Sequence, residues 1–247
     1  LGELTGRPAD LQRVAAIQTF GLPESIVGER LQGLEEAYPG LRVGLRLMFP
    51  EIQVRLYGRD PEARALEELL ARSTAEVGRR LGKRVVSTRG DGMAAALGEL
   101  LRERRQTLAV AESCTGGLMG ELLTDVPGSS DYFVLSAVTY SNACKTKVLG
   151  VPPALLETCG AVHEETARAM AQGVREVAGA DFGISTTGIA GPGGGSADKP
   201  VGTVCIGLAT ADGVRGWRYV FPFNRREMNR RMFAVLALDR LRLAAPP

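Results

Sequence analysis

The sequence has a single histidine, His163, and four cysteines, Cys114, Cys144, Cys159 and Cys205, none of them in a C-x-x-C pair. That scarcity nearly removes a structural zinc site, which needs several such ligands at short spacing. It also removes the usual general base from a serine or cysteine hydrolase, unless the one histidine serves. Two disulfides are arithmetically open, but without an export signal the cysteines read as free cytosolic thiols. No apolar run approaches the roughly 20 residues that span a bilayer, and no signal peptide opens the chain, so a cytoplasmic protein without a membrane partner is expected. Aromatic residues make up only 5% of the 247 residues, and the net charge of +2 is too small to argue for a nucleic-acid partner. Lysine is rare too: Lys83, Lys145, Lys147 and Lys199 stand among many arginines. The first residue is Leu1 rather than methionine, as expected of a fragment or a processed protein.

What is present divides in two. An extended stretch from Arg13 to Leu22 precedes Pro23-Glu24-Ser25, a helix start, and Ile26, Leu31 and Leu34 recur at helical spacing up to Tyr38-Pro39-Gly40. Alternating strands over Arg42 to Phe49 and Ile52 to Tyr57 follow, then a long amphipathic helix from Pro61 to Leu81. This is a small α+β unit. From Gly92 the pattern becomes helix (Met93 to Arg105), strand (Thr107 to Ala111), helix (Gly117 to Leu123) and strand (Tyr132 to Tyr140). Helices Asn142 to Leu149 and Glu164 to Ala178 come next, then strands Phe182 to Thr187, Val201 to Thr210 and Gly213 to Phe221, and a closing helix from Arg225 to Leu243. Alternation of this kind predicts an α/β fold, a three-layer α/β/α domain over residues 91–247 behind an α+β domain over 1–90, with the boundary near 86 to 92.

Three segments could carry chemistry. Ala111-Glu112-Ser113-Cys114-Thr115-Gly116-Gly117 lies where a strand hands over to a helix, at the strand end where open α/β sheets bind ligands. Its glycines leave amides at the helix mouth that could hold an oxyanion or a phosphate; equally, Ser113 or Thr115 could simply cap the helix. Thr139-Tyr140-Ser141-Asn142-Ala143-Cys144-Lys145 sits at a second such junction. If Ser113 is a nucleophile, Lys145 is the leading base, because His163 stands before Glu164-Glu165 as a helix cap. A lysine base must be neutral, so its amine has to fall well below the ordinary value of about 10.4. A solvated helix lysine is the plain alternative. The third segment is the glycine loop from Thr187-Gly188 to Lys199; Pro192 interrupts it, so the dinucleotide fingerprint does not fit.

Together these segments resemble the C-terminal domain of the CinA family, the nicotinamide-nucleotide amidases. The resemblance is carried by AESCTGG at Ala111 to Gly117, TYSNACK at Thr139 to Lys145, GAVHEETA at Gly160 to Ala167 and TGIAGPGGGSADKPVGT at Thr187 to Thr203. It implies hydrolysis of the carboxamide of nicotinamide mononucleotide to nicotinic acid mononucleotide and ammonia, with no cofactor and no metal. It implies Ser113 as nucleophile, Lys145 as base and Tyr140 assisting the proton transfer. Thr115, Gly116, Gly117, Thr187 and Gly188 would contact substrate, and Arg225 would pair with its negative charge. Residues from about Val14 to Gly90 resemble the KH-like middle segment of the family, and a homodimer is implied. Full-length members carry a further N-terminal domain associated with ADP-ribose pyrophosphatase activity. Only Leu1 to Arg13 could be a remnant of it, so that activity is not assigned.

Two rivals remain at this level. Cys114 is an intrinsically stronger nucleophile than its neighbour Ser113, and Lys199 is a weaker candidate base. The KH-like segment also admits an RNA-binding reading, but no GXXG loop occurs in it. A non-catalytic scaffold is the last alternative, against which Ser113, Tyr140, Lys145 and Thr187 all stand in place.

Overall fold

The computed structural model describes residues 11–245. Of the proposed remnant, residues 1–10 lie outside the described residues, whereas residues 11–13 belong to the first strand. The fold separates between Met93 and Ala94 into two compact units.

The N-terminal unit runs β1 (Leu11–Phe20), α1 (Glu24–Arg30), α2 (Leu34–Ala37), β2 (Leu41–Met48), β3 (Glu51–Asp60), α3 (Ala63–Leu81) and β4 (Val85–Ser87). The four strands form one antiparallel sheet in the order β2-β3-β1-β4. Alternation along β1 and β3 sends Ile17, Val54 and Leu56 into a core shared with Val27, Leu34 and Val77 of the helices. The helix expected to continue from Glu24 to Tyr38 is instead two. α1 stops at Arg30 with Leu31 as its C-cap, and Gly33, left-handed at φ +76°, turns the chain into α2 as its N-cap, so apolar spacing persists across a break. β4 escaped notice because three residues cannot display an alternation. Arg80 of α3 holds the turn joining α1 to α2, donating to the carbonyl oxygens of Arg30 (3.3 Å) and Gln32 (2.7 Å).

The C-terminal unit runs α4 (Met93–Arg104), β5 (Leu108–Glu112), α5 (Leu118–Thr124), β6 (Phe133–Val138), α6 (Asn142–Leu149), α7 (Pro153–Cys159), α8 (Glu164–Ala178), β7 (Phe182–Gly188), β8 (Thr203–Thr210), β9 (Gly213–Val220) and α9 (Arg226–Ala244). Its sheet has the order β6-β5-β7-β8-β9, with β6, β5 and β7 parallel and β8 and β9 added antiparallel. β5, β7 and most of β8 are buried along their length, as strands covered on both faces must be. On one face α8 presses directly on the sheet: a Cβ at Gly183 would meet the Ala171 carbonyl oxygen at 2.2 Å, and one at Gly207 the Ala167 oxygen at 2.1 Å. On the other, α9 packs on β7, β8 and α5. α7 lies between two expected helices and follows Pro152-Pro153, residues that disfavour a helix interior. Pro153 in fact stands in the first turn, where no amide hydrogen is needed.

This topology gathers chain ends. β5, β6 and β7 are parallel, so Glu112, Val138 and Gly188 end at one rim. β9 pairs Val220 with Thr203 and therefore also finishes there, delivering the start of α9 to the same place.

Candidate active site

The turn after β5 is fixed by a carboxylate. Glu112 is fully buried and accepts the amides of Gly117 (3.0 Å), Met119 (3.1 Å) and Gly120 (2.9 Å). The Glu112 side chain thus takes the Gly117 amide and two further amides at the mouth of α5, where the sequence left open an oxyanion, a phosphate or a Ser113 or Thr115 cap; the Gly116 amide donates to the Ser113 carbonyl at 3.2 Å. Thr115 is buried too; its hydroxyl shares a 2.7 Å hydrogen bond with Thr186. Thr115, Gly116 and Gly117 do not line the cleft that Ser113 opens into.

Lys145 is the most deeply buried lysine of this unit, only 1% exposed. It lies in the first turn-and-a-half of α6, whose N-cap is Ser141, its hydroxyl oxygen accepting from the Cys144 amide. Side chains on a helix lean toward its N-terminus, which sends this one back to the end of β6. There Nζ donates to the carbonyl oxygens of Thr139 (2.9 Å) and Tyr140 (3.3 Å) and lies 3.1 Å from the Ser113 hydroxyl. All three partners are uncharged oxygens. Burial pushes the amine below the ordinary lysine range, against a smaller upward pull from the thiols of Cys114 and Cys144. A neutral amine has two hydrogens for the two carbonyls and one lone pair for the serine proton.

Ser113 and Lys145 open into a cleft of about 200 Å³, walled by Cys114, Tyr140, Ala161, Val162, Thr187, Gly188, Ala190 and Arg226. The Thr187 hydroxyl donates to the Ala161 carbonyl at 2.8 Å and so joins two walls. Gly188 is required by packing, since a Cβ there would stand 2.4 Å from the Thr203 carbonyl oxygen. Tyr140 is 64% exposed; its backbone carbonyl meets Lys145, while its phenol is 3.4 Å from the Arg226 guanidinium. Arg226, not Arg225, is the arginine of the cleft, and its Nη1 donates to the Gly191 carbonyl at 2.8 Å. Arg225 is 74% exposed and faces Glu227 at 3.9 Å. Neighbouring residues at a helix start differ by about 100° in direction, so only one of an Arg-Arg pair reaches inward.

The rivals separate on burial. Cys114 lines the cleft but is 6% exposed, and burial pushes its thiol up to about 12. At pH 7 only about one such thiol in 10⁵ is the reactive thiolate. With iodoacetamide at pH 7.5, peptide mapping should find exposed Cys144 modified and Cys114 untouched until the chain is unfolded. Rapid alkylation of Cys114 in the native protein would restore it as a nucleophile. Lys199 donates to the Cys159 carbonyl at 3.0 Å and is not part of the cleft. His163 caps α8, its Nδ1 accepting from the Glu165 amide.

Three residues went unnoticed in the sequence: Glu112, Arg226 and Arg230. Glu112 was readable in principle, as an acid one residue before a serine on an otherwise apolar strand. The arginines were not, because their partners are 35 and 115 residues away.

Residues 90–244 match the CinA C-terminal domain, and residues 15–87 match the damage-inducible protein CinA KH domain. A CinA-like protein of Desulfosudis oleivorans is 53% identical over 226 residues, 92% of this chain and 55% of that one. One from Geobacter sulfurreducens is 45% identical over 233 residues, 94% and 56% of the two chains. The chain therefore spans about half the length of these curated relatives. Among solved structures, the competence/damage inducible protein CihA from Agrobacterium tumefaciens superposes with a TM-score of 0.59 at 37% identity, over 63% of this chain and 96% of that one. A CinA superfamily protein from Klebsiella pneumoniae gives 0.60 at 29% identity, over 62% and 95%.

Proposed function

Because the chain belongs to the CinA family, we propose that its C-terminal unit hydrolyses the carboxamide of nicotinamide mononucleotide, with Ser113 as nucleophile and Lys145 as base. The observation that carries this reading is the 3.1 Å approach of a buried lysine amine to a serine hydroxyl at the mouth of a cleft. Ser113 Oγ attacks the carboxamide carbon as its proton passes to Lys145 Nζ. The tetrahedral oxyanion collapses as Lys145 returns that proton to the leaving nitrogen, and ammonia departs. Water then gives a proton to the same amine and attacks the ester. Nicotinic acid mononucleotide leaves, and the proton goes back to Ser113. Every proton transfer in this sequence is carried by these two groups and water.

The cleft's about 200 Å³ is below the ~300–1,000 Å³ usual for a drug-sized ligand, so it takes the pyridine ring and leaves ribose and phosphate at the rim. Arg226 stands at that rim and is the phosphate partner on this reading. The test is ammonia release from nicotinamide mononucleotide and from nicotinamide riboside, which lacks the phosphate. In Arg226→Met the KM for the mononucleotide should rise about 10- to 100-fold, the worth of a charge-assisted hydrogen bond. The riboside should change by less than about threefold. Equal effects on both would remove Arg226 from phosphate recognition, and no ammonia from wild-type protein would remove the amidase reading.

A further inference from the structure

Hydrogen-bond accounting around Ser113 leaves one amide unclaimed on the cleft. The Ser113 amide donates to the Thr186 carbonyl (3.0 Å), Gly116 to Ser113 (3.2 Å) and Leu118 to Thr115 (3.4 Å), while Glu112 takes Gly117, Met119 and Gly120. Among the described residues, the amides of Cys114 and Thr115 donate to no oxygen. Of these two residues, Cys114 lines the cleft. An amide that no backbone oxygen takes, next to a nucleophile and on the cleft, is placed to receive an oxyanion.

Its direction is set from a distance. Arg230, one turn beyond Arg226 on α9, grips the Thr115 carbonyl oxygen with both Nε (3.1 Å) and Nη2 (2.6 Å). In a trans peptide the carbonyl and the amide hydrogen point in opposite directions. With the Thr115 oxygen held by Arg230, the Gly116 hydrogen is turned to the Ser113 oxygen. With the Ser113 oxygen held by Gly116, the Cys114 hydrogen is turned out of the turn. Two peptide planes therefore link the guanidinium to the Cys114 amide, and each bond in such a chain polarises the next. The charge at the far end makes the Cys114 hydrogen more positive, which suits a developing oxyanion.

We infer that Arg230 is a positioning residue that aims and polarises the Cys114 amide as the oxyanion donor of this site. The inference rests on the proposed role of Ser113, but not on the identity of the substrate. Pyridine-3-boronic acid tests it without turnover, because boron takes a fourth oxygen from a serine hydroxyl and mimics the tetrahedral species. In Arg230→Met the boronate Kd should rise about 10- to 100-fold, less than the ~10²–10³ lost when an oxyanion donor is deleted outright. kcat for nicotinamide mononucleotide should fall by the same factor. KM, the Kd of nicotinic acid mononucleotide and the midpoint of the pH–rate limb should stay within about twofold or unmoved. Arg230→Lys should recover part of the loss, and it carries the test if Arg230→Met does not fold. Unchanged boronate affinity would overturn the inference, as would equal losses for boronate and product, which mark a merely structural role. Failure of wild-type protein to bind the boronate would overturn it as well. If wild-type protein binds boronate in a Ser113-dependent way yet releases no ammonia, the substrate reading fails and the boronate arm still decides the role of Arg230.

Discussion

Ser113→Ala is expected to lower ammonia release from nicotinamide mononucleotide by at least about 10⁴-fold, because the members of a nucleophile–base unit act together and losing one forfeits most of the gain. The melting temperature should hardly move. Among the described residues the Ser113 side chain makes a single hydrogen bond, to Lys145, and the amine keeps the Thr139 and Tyr140 carbonyls when the hydroxyl is gone. Substrate binding should also survive, since Thr187 and Arg226 are untouched. An acid-quenched mass spectrum gives an independent reading. Wild-type protein incubated with nicotinamide mononucleotide should carry an adduct equal to the substrate less ammonia, mapped to the peptide containing Ser113, and the variant should carry none. A variant that keeps a tenth of the activity would mean that water attacks the carboxamide directly and that the serine only orients it.

The site was legible where chemistry and chain topology coincide. Ser113 and Lys145 each follow a strand within a few residues, and parallel strands that end together bring such positions to one rim whatever lies between them. His163 could be set aside from sequence alone because two acids follow it, and it does cap α8. What failed did so where a tertiary contact decides between neighbours. Arg225 and Arg226 are the same residue type, and only the orientation of α9 on the sheet selects the second. The Gly116-Gly117 mouth resembled an open anion site, but the chain's own groups take its amides, the Glu112 side chain that of Gly117 and the Ser113 carbonyl that of Gly116. The fold repeats the lesson. Gly33 splits a helix that apolar spacing would have continued, and Pro152-Pro153 opens one that a breaker rule would have forbidden. The common cause is that local patterns report what a segment prefers, whereas packing reports which preference is met.

Lys145→Met separates the chemistry of that lysine from its place in the core. Met is similar in length and leaves no buried charge to neutralise, so the variant should fold while ammonia release falls below detection at every pH from 6 to 10. Wild-type kcat/KM should rise with pH along a one-proton limb whose midpoint lies below the ordinary ~10.4 of a free lysine, because burial lowers the value. Stability follows from the same shift. The folded chain holds the amine neutral over a range in which the unfolded chain protonates it, so at this residue the unfolded state binds more protons and the lysine's own contribution to stability rises with pH up to about 10.4. As pH falls through the folded-state value the penalty for charging a buried amine becomes complete. Lys145→Met escapes that penalty. Its melting temperature should therefore exceed that of wild-type protein most at low pH, with the gap closing as pH approaches 10.4. A gap that is flat with pH, or a pH–rate limb centred at the free-lysine value, would mean that the amine of residue 145 stays charged in the folded protein and cannot take the serine proton.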